Sequence, residues 1–185
     1  MSFILKPVDI VETISPEDFK KNYLKPRKPL IIKGLTKDWP AREKWSLEYF
    51  KEIAGDLDVD LVDNSKADPN KAINAKLATM KLGEYLDLIK STPTDLRIFF
   101  LNLFKHSPDL VNDVKVPKEL MGGFIESMPA MFFGGSKAVT FLHYDIDLPH
   151  LFHTHFGGRK HIILFDNKWK KRLYCIPNTT YALEE

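Results

Sequence analysis

The chain is 185 residues long, 44% hydrophobic and 28% charged, and its 27 basic and 25 acidic residues leave a net charge of +2. That length suits one well-buried domain, the composition argues against disorder or a fibrous repeat, and so even a charge balance removes any overall field that would demand a nucleic acid or membrane partner. The single cysteine, Cys175, has no partner for an intramolecular disulfide, and the apolar run in MSFILKPVDI is too short for a signal-peptide core or a membrane span, so a cytoplasmic location is expected.

Ser15-Pro16-Glu17-Asp18 has the order of a helix start: a capping hydroxyl, a proline at the first helical position and acids in the first turn. Leu30-Ile31-Ile32, ended by Gly34, reads as a buried strand, and Trp39-Pro40 as a loop. Ser46 is placed to cap a second helix carrying Leu47, Phe50, Ile53 and Ala54 at helical spacing, with Gly55 as its stop. Leu57, Val59 and Leu61 alternate with Asp58 and Asp60 as in a strand with one wet face. DNSKADPNKAINAK is polar and reads as a loop, after which Leu82, Tyr85, Leu86 and Ile89 form the stripe of a third helix stopped before Pro93.

RIFFLNLF, Arg97 to Phe104, is expected to be a central strand. Pro108 and Pro117 predict two short helices with Leu110, Val111, Leu120 and Met121 turned inward, the second ended by Gly122-Gly123. From Ala130 to Cys175 come short apolar runs, AMFFG, AVTFL, HLFHTHF, HIILF and RLYCI, punctuated by GGS, DIDLP, GGR and DNKWKK. Such closely spaced runs predict a β-sandwich or barrel. The division is therefore an N-terminal α+β region over 1–128 packing on a barrel whose first part is 129–185, one structural domain overall. About five strands would leave open barrel edges, so the fold is expected to continue beyond Glu185.

Five of the six histidines lie between Phe132 and Phe165. Composition alone yields roughly 0.8 His-x-Asp/Glu triplets in such a chain, so His143-x-Asp145 carries little weight alone. Its setting adds weight: residues two apart on a strand share a face and reach one ion together, and imidazole plus carboxylate with open positions opposite is the arrangement of non-haem Fe(II) oxygenases. Lys160 shares strand parity with Ile162 and Leu164, and His161 with Ile163 and Phe165, so both faces of that run read as buried. A lysine there is costly unless an anion such as a carboxylate meets it, the plainer alternative being that it snorkels to water from the strand end.

Thr140-x-x-His143-x-Asp145, followed by Gly158-Arg159-Lys160 and an aliphatic run, resembles the JmjC-related, cupin-like Fe(II)- and 2-oxoglutarate-dependent oxygenases, and the N-terminal order of helix, PLIIKG strand, tryptophan loop and WSLEYFKE helix is similar to theirs. The resemblance covers nearly all the chain. It implies a mainly β fold with α, a double-stranded β-helix (jelly-roll or cupin) core preceded by the α+β region. It further implies His143 and Asp145 as metal ligands, Thr140 and Lys160 as holders of the distal carboxylate of 2-oxoglutarate, and Fe(II) and 2-oxoglutarate as cofactors. The implied reaction decarboxylates 2-oxoglutarate oxidatively to succinate and carbon dioxide and hydroxylates a C–H bond of a protein side chain or another substrate.

Three departures stand beside the resemblance. Nothing after Lys160 matches the family's distal histidine; Phe99 or Phe100 stands where a tyrosine often helps bind the cosubstrate; and on a straight strand Thr140 and His143 would face opposite ways, which requires a bulge or twist. Phe99, His153 and His155 are candidate pocket-lining residues, while His150, His161 and His106 read as loop, structural or surface residues. Lys168-Trp169-Lys170-Lys171-Arg172 interleaves an aromatic with cations as nucleic-acid binders do, but reads first as a solvated turn. Candidate substrates are a protein, a small molecule or a transfer RNA; a homodimer is a further partner expectation, and a membrane is not. Two other readings are a non-catalytic cupin-like module that binds a protein or RNA, and a Zn or Mn cupin without an oxo acid.

Overall fold

The computed structural model describes residues 4–63, 75–120, 130–145, 148–176 and 179–181. Near the N-terminus, β1 (Asp9–Val11) pairs in parallel with β2 (Leu30–Ile32), Asp9 opposite Leu30 and Val11 opposite Ile32. Between them lies α1 (Pro16–Phe19), which widens into a π-helical turn over Lys20–Leu24. Ser15 caps α1 as its sequence predicts, its Oγ accepting from Asp18 N at 3.1 Å. The β1–β2 pair is not a buried element, since Ile31 is 47% exposed. After it the chain passes so close to β1 that a Cβ at Gly34 would stand 2.4 Å from the Glu12 carbonyl oxygen, which leaves room only for glycine.

Two short helices follow, α2 (Ala41–Lys44) and α3 (Leu47–Ala54). Ser46 Oγ accepts from Tyr49 N at 3.1 Å and so satisfies one donor that the first turn of α3 would leave orphaned. Ser46→Ala is expected to lower stability by about 1 kcal/mol, read as a lower urea midpoint with an unchanged slope; an unmoved midpoint would show that the cap is dispensable.

The main sheet is antiparallel, in the order β4 (Ala78–Lys81), β3 (Asp58–Asp63), β5 (Leu96–Leu101), β6 (Met131–Gly134). RIFFLN is thus an inner strand as expected, but it ends at Leu101 and the chain turns into α5 (Leu103–His106). The sequence gives no sign of β4, an edge strand whose Ala78, Thr79 and Lys81 are all exposed, so it has no apolar alternation. Its register, Asp58 opposite Lys81 and Leu61 opposite Ala78, is accompanied by a Lys81–Asp58 ion pair at 2.8 Å and a Thr79–Asp60 hydrogen bond at 3.0 Å. Most of the polar stretch between β3 and β4 lies outside the described residues.

Leu61, Ile98 and Phe133 stand opposite one another across β3, β5 and β6, and with Val59 they form the inward face of the sheet. Against it pack α3 and α4 (Leu82–Ser91) through Phe50, Ala54, Leu82, Tyr85 and Leu86. Tyr85 is fully buried, and its hydroxyl lies 3.0 Å from the Leu96 carbonyl and 2.9 Å from that of Phe133, joining α4 to both β5 and β6. Burial raises its pKa well above the ordinary phenol value. Pro108 opens a 3₁₀ turn to Asp113 in which Leu110 is buried, whereas Val111, predicted to turn inward, is 60% exposed. The carboxylate of Asp113, nearly buried, accepts from Trp45 Nε1 at 3.0 Å and Lys44 Nζ at 2.6 Å and fastens that turn to α2. After Pro117 only a turn through Leu120 is described; Met121 and Gly122-Gly123 lie outside the described residues.

The strands expected beyond β6 do not form in the described residues. AVTFL, HLFHTHF and HIILF run without a ladder, and RLYCI follows a 3₁₀ turn over Asn167–Arg172. A strand exists only where a neighbouring strand takes up its N–H and C=O groups in a ladder, and these runs form no ladder among the described residues. Ile162, Ile163 and Leu164 are consequently 53%, 45% and 63% exposed, which corrects the expectation that both faces of this run are buried. The HLFHTHF segment is held instead by its aromatics, Phe152 lying 5.8 Å from Phe19 and Phe156 4.6 Å from Trp45 between ring centroids. Among the described residues no helix is long and apolar enough to cross a membrane.

Candidate functional site

The sheet face turned away from α3 and α4 presents Val62, Arg97 and Gly134 in register, and beyond them an aromatic group. Phe99 lies 5.0 Å from both Phe100 and Phe132 between ring centroids. The register shift between Ile98 and Leu101 and the left-handed backbone of Phe100 (φ 62°) mark a bulge that turns these rings outward, leaving Phe100 61% and Phe132 49% exposed. Phe99, the sequence-predicted lining residue, thus belongs to a bare apolar platform.

Across this face runs the segment after β6. Arg97, only 8% exposed, donates from Nη1 to Thr140 Oγ1 at 2.5 Å and from Nη2 to the Val139 carbonyl, while Asp95 Oδ1 accepts from Val139 N at 3.2 Å. Thr140 is therefore clamped from below by the head of β5. Sequence reasoning missed Arg97, although an arginine opening an apolar run is the same signal that singled out Lys160. Because 138–142 is irregular and bends at Leu142, strand alternation does not govern how Thr140 and His143 point, and the third departure from the family pattern loses its force.

His143 and Asp145 come together, His143 Nε2 lying 3.6 Å from Asp145 Oδ1 with both side chains partly exposed. The Nδ1 of His143 sits 2.7 Å from the Phe141 carbonyl. A carbonyl can only accept, so Nδ1 donates to it and Nε2 is the ring nitrogen turned toward Asp145. The local backbone is fixed by a short antiparallel contact, with His143 bridged to Tyr181 and Tyr144 N donating to Thr180 O at 2.9 Å. Nothing in the sequence suggests that 179–181 returns to this point.

The other predicted residues stand in a second group. His153 and His155 lie with ring centroids 6.4 Å apart, nearly parallel and exposed. Partial loss of hydration, then the positive charge of Lys160 and the neighbouring His155, lower the pKa of His153 below the ordinary imidazole value. Lys160 itself is exposed and makes no hydrogen bond or ion pair among the described residues. The run 168–172 is an exposed 3₁₀ turn capped by Asp166 Oδ1, which accepts from Lys168 N at 2.9 Å; Lys168 and Arg172 lie over the ring of Trp169 and Lys170 over that of Tyr144. Its cations are thus partly engaged with its own aromatics.

The donor set fits a divalent metal in part. A separation of 3.6 Å is less than two metal–ligand bonds of about 2.1 Å each, so one cation reaches both His143 and Asp145. The Phe141 carbonyl on Nδ1 is the kind of outer contact that orients a ligating histidine. No group of three or more His, Cys, Asp or Glu side chains that could hold a metal occurs among the described residues.

The sequence matches the model of the cupin-like domain over residues 16–184. It is similar to lysine-specific demethylase JMJ30 of Arabidopsis thaliana, 30% identical over 183 residues that cover 96% of this chain and 42% of that protein. It is also similar to lysine-specific demethylase 8 of Danio rerio, 29% identical over 177 residues covering 91% of this chain and 42% of the other. With the human bifunctional peptidase and (3S)-lysyl hydroxylase JMJD7 it shares 26% identity over 145 residues, covering 71% of this chain and 46% of that protein. The chain thus spans less than half the length of each of these relatives. A match running through nearly the whole sequence, helices, sheet and His143–Asp145 alike, places it: the chain belongs to the JmjC-related, cupin-like domain family.

Proposed function

We propose that the chain carries part of an Fe(II)- and 2-oxoglutarate-dependent oxygenase centre that hydroxylates a C–H bond of a protein side chain. The observation that supports this most is the His143–Asp145 pair, with Nδ1 of the imidazole engaged by the Phe141 carbonyl so that Nε2 is the atom left to face a metal. His143 and Asp145 hold the metal, which when bound supplies the redox chemistry that couples oxygen to decarboxylation of the oxo acid. Thr140 and Lys160 hold the distal carboxylate. For Lys160 this requires the 157–165 segment to close over the open sheet face as a strand of a double-stranded β-helix, a step that also buries Ile162, Ile163 and Leu164. Phe99, Phe100 and Phe132 then exclude water from one wall of the pocket. A protein substrate is favoured over a small molecule or transfer RNA because the relatives are named for acting on lysyl residues.

Anaerobic titration of the full-length protein with Fe(II) and 2-oxoglutarate is expected to give the visible charge-transfer band of a bidentate oxo acid on iron; no band at saturating concentrations overturns the reading. A second reading, a non-catalytic cupin-like module that binds a protein or RNA, draws on one observation: no third ligand accompanies His143 and Asp145 among the described residues. Metal analysis separates the two, since stoichiometric retained iron counts against the non-catalytic module. A Zn or Mn cupin without an oxo acid is separated by Lys160→Ala, which abolishes 2-oxoglutarate binding under the first reading and matters little under this one.

A further inference from the structure

Arg97 is the most confined cation on the open face of the sheet. It is 8% exposed, Asp95 lies 4.0 Å from its Nη2, and the charges of Asp95 and Asp63 act on it. Its Nε–H is buried without an acceptor among the described residues. Burial lowers its pKa below the ordinary guanidinium value, the mark of a buried charge that its surroundings do not fully compensate.

What Arg97 does to Thr140 follows from the inventory of a hydroxyl, which has one proton to give and two lone pairs to accept with. The guanidinium has no acceptor, so at 2.5 Å it occupies a lone pair of Thr140 Oγ1. The hydroxyl proton is then left to be donated elsewhere, and Thr140 finds no acceptor for it among the described residues. An exposed O–H polarised by a buried cation and fixed in place by that cation's second bond, to the Val139 carbonyl, is a donor prepared for an anion.

We propose that Arg97 is the positioning residue of the cosubstrate site: it turns Thr140 into an obligate donor to the distal carboxylate of 2-oxoglutarate, and that carboxylate in turn compensates the buried guanidinium. The inference rests on the functional reading above and adds a residue that acts through Thr140 without touching the metal.

A double-mutant cycle tests it, run on the full-length protein with Mn(II) as a redox-inert metal, measuring the dissociation constant for 2-oxoglutarate by calorimetry and the unfolding temperature with and without it. Arg97→Lys keeps the charge and loses the fork, and Thr140→Val keeps the shape and loses the donor. Each is expected to weaken 2-oxoglutarate binding about tenfold, and the double variant no further than either alone, because both break one link. Wild-type affinity in Thr140→Val, an exposed position, overturns the inference and the carboxylate-holding role of Thr140, while leaving the iron and 2-oxoglutarate chemistry at His143 and Asp145 standing. So do Arg97→Lys and Thr140→Val effects that multiply, and so does an Arg97→Lys protein that unfolds at a lower temperature yet binds 2-oxoglutarate as wild type, the result of a merely structural clamp. A wild-type protein that binds no 2-oxoglutarate overturns the functional reading and the inference with it.

Discussion

Replacing His143 with alanine is expected to abolish retained iron and to slow 2-oxoglutarate consumption on the order of a hundredfold or more, and Asp145→Ala is expected to do the same. The two side chains face one another at 3.6 Å, so either loss leaves a single ligand among the described residues. His153→Ala and His155→Ala supply the contrast. Those rings belong to a separate group beside Lys160, and their removal is expected to leave iron stoichiometry unchanged. Elemental analysis of the purified variants, with succinate release as the second readout, decides the matter. Iron retained at wild-type levels in His143→Ala sinks the assignment, and iron lost in His153→Ala or His155→Ala moves the centre to the second group.

Tyr85 should dominate stability in the same way. Tyr85→Ala is expected to cost about 3–5 kcal/mol, the range for emptying a buried aromatic site, because the ring is fully buried among α3, α4 and the sheet. Tyr85→Phe separates the hydroxyl from the ring. It strips the donor from the Leu96 and Phe133 carbonyls, and its expected cost is about 1–3 kcal/mol, measured by urea denaturation monitored through the tryptophans. A Phe variant as stable as wild type would show that those carbonyls are satisfied by the β5–β6 ladder alone.

α1, α3 and α4 were legible because their signals are local, whereas α2 was not read and the start of α5 was taken into the strand. Ser15-Pro16 and Ser46 cap where their side chains reach the next turn, and the stripe of Leu82, Tyr85 and Leu86 meets the sheet as its spacing requires. β3 and β5 were legible too, since an apolar strand announces its buried face. β4 and β1 were not, for a half-exposed strand takes its identity from its neighbour's register and not from its own side chains. The same cause explains HIILF: the pattern is strand-like, but pairing is a property of two segments, and no ladder forms on it among the described residues. At the site, His143 and Asp145 could be read because two residues apart is a local spacing. Arg97 under Thr140 is 43 positions away, and no local pattern encodes it.

The contact between residues 143–144 and 180–181 has a cost that its own bonds do not meet. It closes a loop of roughly 36 residues, for which the chain loses about 3 kcal/mol of conformational freedom, while a hydrogen bond such as Tyr144 to Thr180 returns only about 1 kcal/mol. The Tyr144 hydroxyl on the Thr179 carbonyl adds to this, and contacts inside the loop, where Phe152 and Phe156 rest on Phe19 and Trp45, contribute the rest. Order at the histidine–aspartate pair is therefore coupled to the seating of Phe152 and Phe156 on Phe19 and Trp45, and a ligand that grips the pair would tighten that seating in return.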